Sequence, residues 1–139
     1  MRKLLNYNSH TSDEKTCRVF GELHTRYTHY EDIITSLSNE SLNFDYFVST
    51  DVFVYIGDLP DVFRLIKSRS KTGGKLAFST EYYDGDGFFL EQTGRYLHSK
   101  KYIEGICEEF GYQLRYFEIL PLRKEKNQYI SGGLYILDF

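Results

Sequence analysis

Two short clusters of polar side chains in this sequence could do chemistry. The first is Ser49-Thr50-Asp51, which offers two hydroxyls and a carboxylate directly after an aromatic and β-branched run. The second is Gly94-Arg95-Tyr96-Leu97-His98-Ser99, which combines a guanidinium, a phenol and an imidazole. Arginine can hold a carboxylate or phosphate through two hydrogen bonds, and histidine or tyrosine can move protons near neutral pH. The alternative for the second cluster is structural: Ser99 caps a helix, Tyr96 packs and His98 hydrogen-bonds a loop.

Other kinds of site find little support in the sequence. Asp84-Gly85-Asp86-Gly87 is similar to the start of a calcium loop, but the twelfth position, which needs a carboxylate, is Arg95. His24 and His29 lack the spacing of a ligand pair on one element and have no cysteine nearby, so the sequence predicts no metal site. Serine-hydrolase, phosphate-loop and dinucleotide-binding motifs are absent from the sequence.

The composition narrows the class of protein. The 139 residues suffice for one domain with a single core, and the net charge of −3 argues against a nucleic-acid partner. The two cysteines lie far apart, which fits a reducing compartment. The start of the chain does not have the pattern of a signal peptide, and no apolar run reaches membrane-spanning length. These features predict a soluble, cytoplasmic protein without a membrane partner.

The elements that must position the first cluster form a strand–helix–strand unit. Phe44 to Thr50 is predicted as a buried strand, and an amphipathic helix with Val62, Phe63, Leu65 and Ile66 follows it. A Thr72-Gly73-Gly74 stop precedes a second strand, Lys75 to Thr80. Such crossovers are nearly always right-handed and join parallel strands, and ligands bind beyond the carboxyl ends of those strands. The unit therefore predicts a site at Ser49, Thr50, Asp51 and Glu81.

The patterns are weaker before this unit and clearer after it. Residues 1–18 are poorly patterned, with a short helix fragment predicted at Arg2–Tyr7, and the domain is expected to occupy 19–139. Before the unit, the pattern predicts a strand at Val19–Arg26 and a short helix at Tyr30–Leu37. After it come a long loop at Tyr82–Thr93 and a helix at Lys101–Phe110, which Ser99 caps and Gly111 ends. Two antiparallel strands follow, at Gln113–Leu120 and Gly133–Asp138.

These segments together resemble the class I S-adenosylmethionine-dependent methyltransferases, nearest to the bacterial subgroup associated with TPR repeats. The resemblance covers about residues 19–139. Around the first strand the resemblance is carried by Phe44-Asp45 and Thr50–Leu59, and around the second by Gly73-Gly74, Phe78-Ser79 and Glu81. Gly94-Arg95-Tyr96 with His98-Ser99 and the closing antiparallel strand pair also match the family.

The resemblance implies a fold, a cofactor and roles for the polar clusters. The fold would be α/β: a partial Rossmann-like sheet, mostly parallel with an antiparallel C-terminal strand, and helices on both faces. The cofactor would be S-adenosylmethionine, with Ser49, Thr50 and Asp51 near it. Arg95, Tyr96 and His98 would be catalytic residues facing an unidentified methyl acceptor.

The family's sheet has the strand order 3-2-1-4-5-7-6, and this chain departs from it. With Val19–Arg26 as strand three, strands one and two are missing, and with them the Gly-rich loop that cradles the cofactor. The chain would then be the C-terminal part of a truncated or decayed methyltransferase, inactive or weakly active alone. Its Phe44–Val48 strand would have an unpaired edge, which invites self-association. The alternative function is a non-catalytic fragment that serves as a binding or regulatory module.

Overall fold

The computed structural model describes residues 4–8, 16–21, 25–29, 33–38, 43–70 and 72–139. Within them it has nine strands: β1 Leu4–Asn8, β2 Thr16–Gly21, β3 Thr25–His29, β4 Tyr46–Thr50, β5 Lys75–Tyr82, β6 Phe88–Leu90, β7 Tyr96–His98, β8 Gln113–Glu125 and β9 Gln128–Asp138. The described helices are α1 Ile33–Ser38, α2 Pro60–Ser68 and α3 Lys100–Phe110. A 3-10 turn lies at Phe53–Tyr55.

The strands form one mixed sheet. Its order is β3-β2-β1-β4-β5, followed by β9 and then β8 on the far side of β5. The short β6–β7 hairpin adjoins the carboxyl end of β5, beyond the point where β4 stops pairing with it. With β9 and β8 as strands seven and six, this order matches the 3-2-1-4-5-7-6 order that the resemblance implies.

The strand directions differ from the prediction of a mostly parallel sheet, which is wrong. Only β1–β4, β4–β5 and β5–β7 are parallel, and the other pairings are antiparallel. The reason lies in the connection lengths: seven residues separate Asn8 from Thr16 and three separate Gly21 from Thr25. A parallel crossover needs a dozen or more residues, so β1, β2 and β3 pair as neighbouring antiparallel strands.

The edge of β4 that was predicted to be open is occupied. β1 pairs with it in parallel from Leu4 opposite Tyr46 to Asn8 opposite Thr50. The expected helix fragment at Arg2–Tyr7 is therefore wrong over Leu4–Tyr7, and the place of strand one is filled. Paired backbone groups satisfy the hydrogen bonding that an open edge would leave unmet. Self-association stays a prediction, without that edge as its basis.

Other predicted bounds change as well. The strand expected at Val19–Arg26 is divided between β2 and β3, and the expected long loop Tyr82–Thr93 contains β6. Parts of the predicted N-terminal loop, strand, short helix and polar linker lie outside the described residues: 9–15, 22–24, 30–32 and 39–42, respectively.

The described helices pack on one face of the sheet. Leu37 of α1, Phe63 of α2 and Ile103 of α3 join one buried core with Leu76 and Phe78 of β5. We call this side the helical face. Side chains alternate along a strand, so Ser79 and Glu81 point to the other side, which carries no helix among the described residues and which we call the open face. The prediction of helices on both faces is wrong for this part of the chain.

The one-sided arrangement follows from topology. Right-handed crossovers that proceed in one direction across a sheet place their helices on the same face, and helices reach the other face only when the direction reverses. In this chain the strands on the reverse side of the order, β1 to β3, pair antiparallel. The connections that join them are too short to contain a crossover helix.

The local signals of α3 are confirmed. Ser99 Oγ accepts a hydrogen bond from the Tyr102 N–H at 3.1 Å, which caps the helix. Such a cap typically contributes about 1 kcal/mol. Gly111 ends the helix with a φ of 71°, a left-handed conformation that glycine adopts without steric cost. α3 thereby starts directly after β7, so the cap at Ser99 also fixes where His98 enters the core.

Candidate functional site

The end of β4 has an unusual backbone conformation. Asp51, the first residue after the strand, has a φ of 55°, and its N–H donates to Ser79 Oγ of β5 at 3.4 Å. Aspartate tolerates this left-handed conformation better than most residues because its short polar side chain can bond locally. The turn places the Asp51 carboxylate beyond the carboxyl end of β4 and beside the last residues of β5, where the sequence predicted a site.

Four ionised side chains meet at this point, and we call them the charged cluster: Asp51, Glu81, Arg95 and Arg123. Arg95 Nη1 lies 3.1 Å from Asp51 Oδ1 and 3.5 Å from Glu81 Oε1. Arg123 Nη2 lies 2.6 Å from Glu81 Oε1, and Arg123 Nη1 lies 3.6 Å from Asp51 Oδ1. Each arginine therefore contacts both carboxylates, which ties β4, β5, the segment before β7 and β8 together.

The charged cluster includes a carboxylate that is almost completely buried. The Glu81 side chain is only 2% exposed, and an ionised carboxylate that leaves water needs compensating charge. Burial opposes the charge of Arg123, but the neighbouring Glu81, Glu125 and Asp51 carboxylates outweigh it and raise the pKa of Arg123. Arg95 also lies over the Tyr55 ring, with 5.1 Å from its guanidinium carbon to the ring centre. The guanidinium groups are thus held in place from several sides.

His98 lies apart from the charged cluster. Its ring is fully buried on the helical face, with Nδ1 2.6 Å from Thr80 Oγ1 and Nε2 3.0 Å from the carbonyl oxygens of both Ile56 and Gly57. Carbonyls can only accept, so we assign the proton to Nε2 and let Nδ1 accept from the Thr80 hydroxyl. Burial lowers the pKa of His98 although the two carbonyl bonds favour its charged form. The neutral imidazole thus connects β5 to the segment after β4 through its hydrogen bonds.

Tyr96 and Ser49 also lie outside the charged cluster. The half-buried Tyr96 ring packs edge-on against Phe88 with 5.9 Å between ring centres. Ser49 is buried on the helical face, opposite Phe78 of β5, and its hydroxyl has no hydrogen-bond partner within the part of the chain that the structure describes. The structure thus brings Thr50, Asp51 and Arg95 to one site. The roles that the resemblance implies for Ser49, Tyr96 and His98 stay predictions.

A cavity of about 410 Å³ opens beside the charged cluster on the open face. Its polar wall comes from the end of β4, from Ser79 within β5 and from one guanidinium, and its apolar wall from three leucines of β8 and β9. The lining residues are Thr50, Asp51, Ser79, Arg123, Leu120, Leu122 and Leu134.

The sequence analysis missed the β8 side of this site. The strand was predicted to stop at Leu120, whereas β8 continues to Glu125 and carries Leu122 and Arg123 to the end of β5. The irregular pairing between Pro121 and Arg123 interrupts the alternation by which such a strand is recognised. Proline is confined to edges and bulges in sheets, so Pro121 was the available signal for a bulged edge strand.

The described residues meet only part of the requirements for S-adenosylmethionine. Thr50 and Asp51, which the resemblance implies to be near the cofactor, line the cavity. The connection that follows β1, Ser9-His10-Thr11-Ser12-Asp13-Glu14-Lys15, contains no glycine, so a Gly-rich cradle does not fit it. No group of three or more acidic, histidine or cysteine side chains that could bind a metal occurs among the described residues.

Comparisons with known proteins support the fold. No protein-family model matches the sequence, and no curated protein matches it. A methyltransferase dependent on S-adenosylmethionine from Methanosarcina mazei is similar in structure, with a TM-score of 0.56 and 13% identity over 78% of this chain and 64% of that protein. One from Clostridium acetobutylicum has a TM-score of 0.56 and 16% identity over 80% and 63%.

Magnesium protoporphyrin IX methyltransferase from Synechocystis, solved with bound S-adenosylmethionine, is also similar. Its TM-score is 0.51, with 13% identity over 79% of this chain and 44% of that protein. This chain spans less than two thirds of the length of each of these proteins. The chain therefore has a class I methyltransferase-like fold. None of its described helices is both long and apolar enough to cross a membrane.

Proposed function

We propose that this chain is an S-adenosylmethionine-dependent methyltransferase domain whose described residues form the acceptor side of the active site. One observation carries the proposal: the charged cluster and the cavity meet at Asp51, which directly follows the carboxyl end of β4 and lies beside β5, its parallel neighbour. Open sheets with parallel strands bind their ligands at the carboxyl ends of those strands. The fold shared with known methyltransferases supports the same function.

The chain's own residues have a positioning task in this proposal. S-adenosylmethionine, when bound, supplies an activated methyl group on a sulfonium. Such a transfer needs the acceptor atom held in line, which is mainly a matter of fixed geometry. Asp51 contacts both Arg95 and Arg123, so its carboxylate has little freedom to move. The leucine wall of the cavity holds the body of the acceptor and excludes water from it.

The cofactor affinity of this chain is expected to be weak. In the family, binding of the cofactor depends on polar contacts from the loop after strand one. The corresponding segment here, Ser9–Lys15, contains no glycine that would let the backbone approach the cofactor closely. The finer predictions, a truncated or decayed gene and a nearest relationship to the TPR-associated subgroup, stay predictions.

Titration of the ¹⁵N-labelled chain with S-adenosylhomocysteine, followed by NMR, tests the proposal. We expect weak binding, with a Kd above about 100 μM (a binding free energy weaker than about −5.5 kcal/mol). The amide shifts should centre on Thr50, Asp51 and Glu81. Adenosine alone serves as a control ligand, because it lacks the methionine part.

One result would favour the alternative, a non-catalytic binding or regulatory module. If S-adenosylhomocysteine at several millimolar shifts none of these amides, the site does not bind the cofactor product. The antiparallel pairing of β1 with β2 and the glycine-free connection between them are the observations that favour this alternative.

A further inference from the structure

We propose that the cavity on the open face binds an uncharged, largely apolar molecule by a carbonyl oxygen, which accepts hydrogen bonds from Ser79 and Arg123. The hydrocarbon body lies against Leu120, Leu122 and Leu134. The volume of about 410 Å³ is within the range of roughly 300–1,000 Å³ that is usual for small-molecule sites. The inference rests on the proposed function in one respect: there this ligand is the methyl acceptor, through an atom other than the carbonyl oxygen. Binding itself needs only the described residues.

Arg123 carries a hydrogen-bond donor that lacks an acceptor. Its Nη1 is buried, and none of the described residues accepts a hydrogen bond from it. Asp51 Oδ1 lies 3.6 Å away, which is an ion-pair distance and too long for a hydrogen bond. A buried donor without an acceptor is unfavourable, and most such groups in native proteins have a partner. The Arg123 side chain lines the cavity and is 24% exposed, so a bound molecule can offer an acceptor to its guanidinium.

The Ser79 hydroxyl is a second donor at the cavity. Ser79 is only 7% exposed, and its oxygen accepts a hydrogen bond from the Asp51 N–H at 3.4 Å. Within the described part of the chain, the Ser79 O–H donates to no acceptor. Ser79 and Arg123 both lie next to Asp51, so their donors are close together. A carbonyl oxygen has two lone pairs and no proton of its own, which matches two neighbouring donors.

The surroundings of Arg123 favour an uncharged oxygen over a carboxylate. Its guanidinium nitrogens lie within 3.6 Å of carboxylate oxygens of three residues, Asp51, Glu81 and Glu125. A ligand carboxylate would stand among these groups of its own charge and would compete with them for the same guanidinium. An ammonium group does not match either, because it has no lone pair with which to accept a hydrogen bond.

Three probes of nearly equal shape separate these possibilities: 1-acetylnaphthalene, 1-isopropenylnaphthalene and 1-naphthoic acid. The first is a ketone, the second is its hydrocarbon analogue, and the third is an anion at pH 7. Each is titrated into the full chain at pH 7, without any cofactor, and followed by NMR. A hydrocarbon leaves water more readily than a ketone, so the ratio of their two affinities is compared between the natural chain and its variants. The acid should bind most weakly of the three.

Two variants remove the donors. Arg123→Lys keeps a cation for Glu81, but its single nitrogen replaces the guanidinium, and Ser79→Ala removes the hydroxyl. Each should weaken binding of the ketone by about fivefold, the usual net contribution of one hydrogen bond, and change binding of the hydrocarbon by less than about twofold. Leu134→Ala should weaken binding of ketone and hydrocarbon by a similar factor.

Arg115→Lys is the matched control. Arg115 Nε lies 2.8 Å from a carboxylate oxygen of Asp138, which stands opposite Lys75 at the other end of β5 and β9. The variant should leave all three affinities unchanged. If Arg123→Lys does not fold, Ser79→Ala and the natural chain still decide the question, because the ketone should shift the guanidinium ¹⁵N signals of Arg123 more than the hydrocarbon does.

The outcomes separate this inference from the proposed function. An unchanged ratio of ketone to hydrocarbon affinity in Arg123→Lys and Ser79→Ala overturns the inference, as does tightest binding of the acid or no binding of the ketone. Ketone binding without any response to S-adenosylhomocysteine supports the inference and contradicts the methyltransferase proposal. A response of Thr50 and Asp51 to S-adenosylhomocysteine without ketone binding does the reverse.

Discussion

His98 and Asp51 show at the residue scale how burial decides what a titratable side chain does. His98 stands in a run that the resemblance implies to be catalytic, yet its ring is fully buried and both of its nitrogens have partners. Asp51 is more exposed and stands at the mouth of a cavity. The sequence alone shows both as polar residues near a strand end, since burial depends on which sheet face each side chain meets.

The pH dependence of stability tests the role of His98. Because burial lowers the pKa of His98 below its ordinary value of 6.5, the unfolded chain binds this proton more readily than the folded chain. The free energy of unfolding should therefore fall as the pH drops below about 6.5, and level off below the folded-state pKa. Urea denaturation at a series of pH values measures this.

His98→Gln is the matched variant, because an amide can keep some of the hydrogen bonds and does not titrate. The variant should be less stable at pH 7 by about 1–3 kcal/mol, the usual cost of a disturbed buried hydrogen-bond network. Its stability should change less between pH 5 and 7 than that of the natural chain. An identical pH dependence in both proteins would show that His98 does not control it.

The elements divide into those that the sequence predicted and those that it did not. β4, α2, β5 and α3 were predicted because each has a strong local pattern: a buried run, an amphipathic helix, or a cap such as Ser99. β1 was not predicted, and β2 and β3 were predicted as the single strand Val19–Arg26, because their pairing depends on contacts between strands and not on local pattern. β8 was predicted too short, since Pro121 and the adjoining irregularity hide its continuation.

The ion pair between Glu81 and Arg123 is expected to fix β8 to the end of β5. Glu81→Gln removes the carboxylate nearest to Arg123 and should lower the free energy of unfolding by about 2 kcal/mol or more. A fully buried pair would cost about 3–5 kcal/mol, and the partial exposure of Arg123 reduces that figure. Urea denaturation at pH 7 measures the loss.

Asp138→Asn supplies the comparison for this measurement. Asp138 lies in a more exposed cluster with Lys75 and Arg115, where ion pairs contribute less than about 1 kcal/mol. A loss in Glu81→Gln no larger than in Asp138→Asn would mean that the charged cluster does not hold β8 in place.

The whole molecule combines a methyltransferase-like strand order with helices on one face only, within the described residues. The order is that of the family, although strands one and two were expected to be missing, and the strand directions and the open face were not predicted either. The strand directions and the open face follow from connections between β1, β2 and β3 that are too short to contain a helix. The pairing of β1 with β4 was needed to recognise this. The cavity lies on that open face, so the candidate acceptor site is on the side of the sheet where the fold differs from the prediction.

The account's central claim, an acceptor site for methyl transfer at Asp51, is tested most directly by transfer of a labelled methyl group. The chain is incubated with S-adenosylmethionine that carries a labelled methyl group, at millimolar concentration to offset the weak cofactor affinity expected here, and with a series of apolar alcohols, amines and thiols as acceptors. We predict slow formation of a labelled product from at least one of them, with the acceptor's proton passing to the solvent. The product should disappear in Asp51→Asn and persist in Asp138→Asn. Product formation no faster than without protein, or unchanged in Asp51→Asn, would contradict the claim.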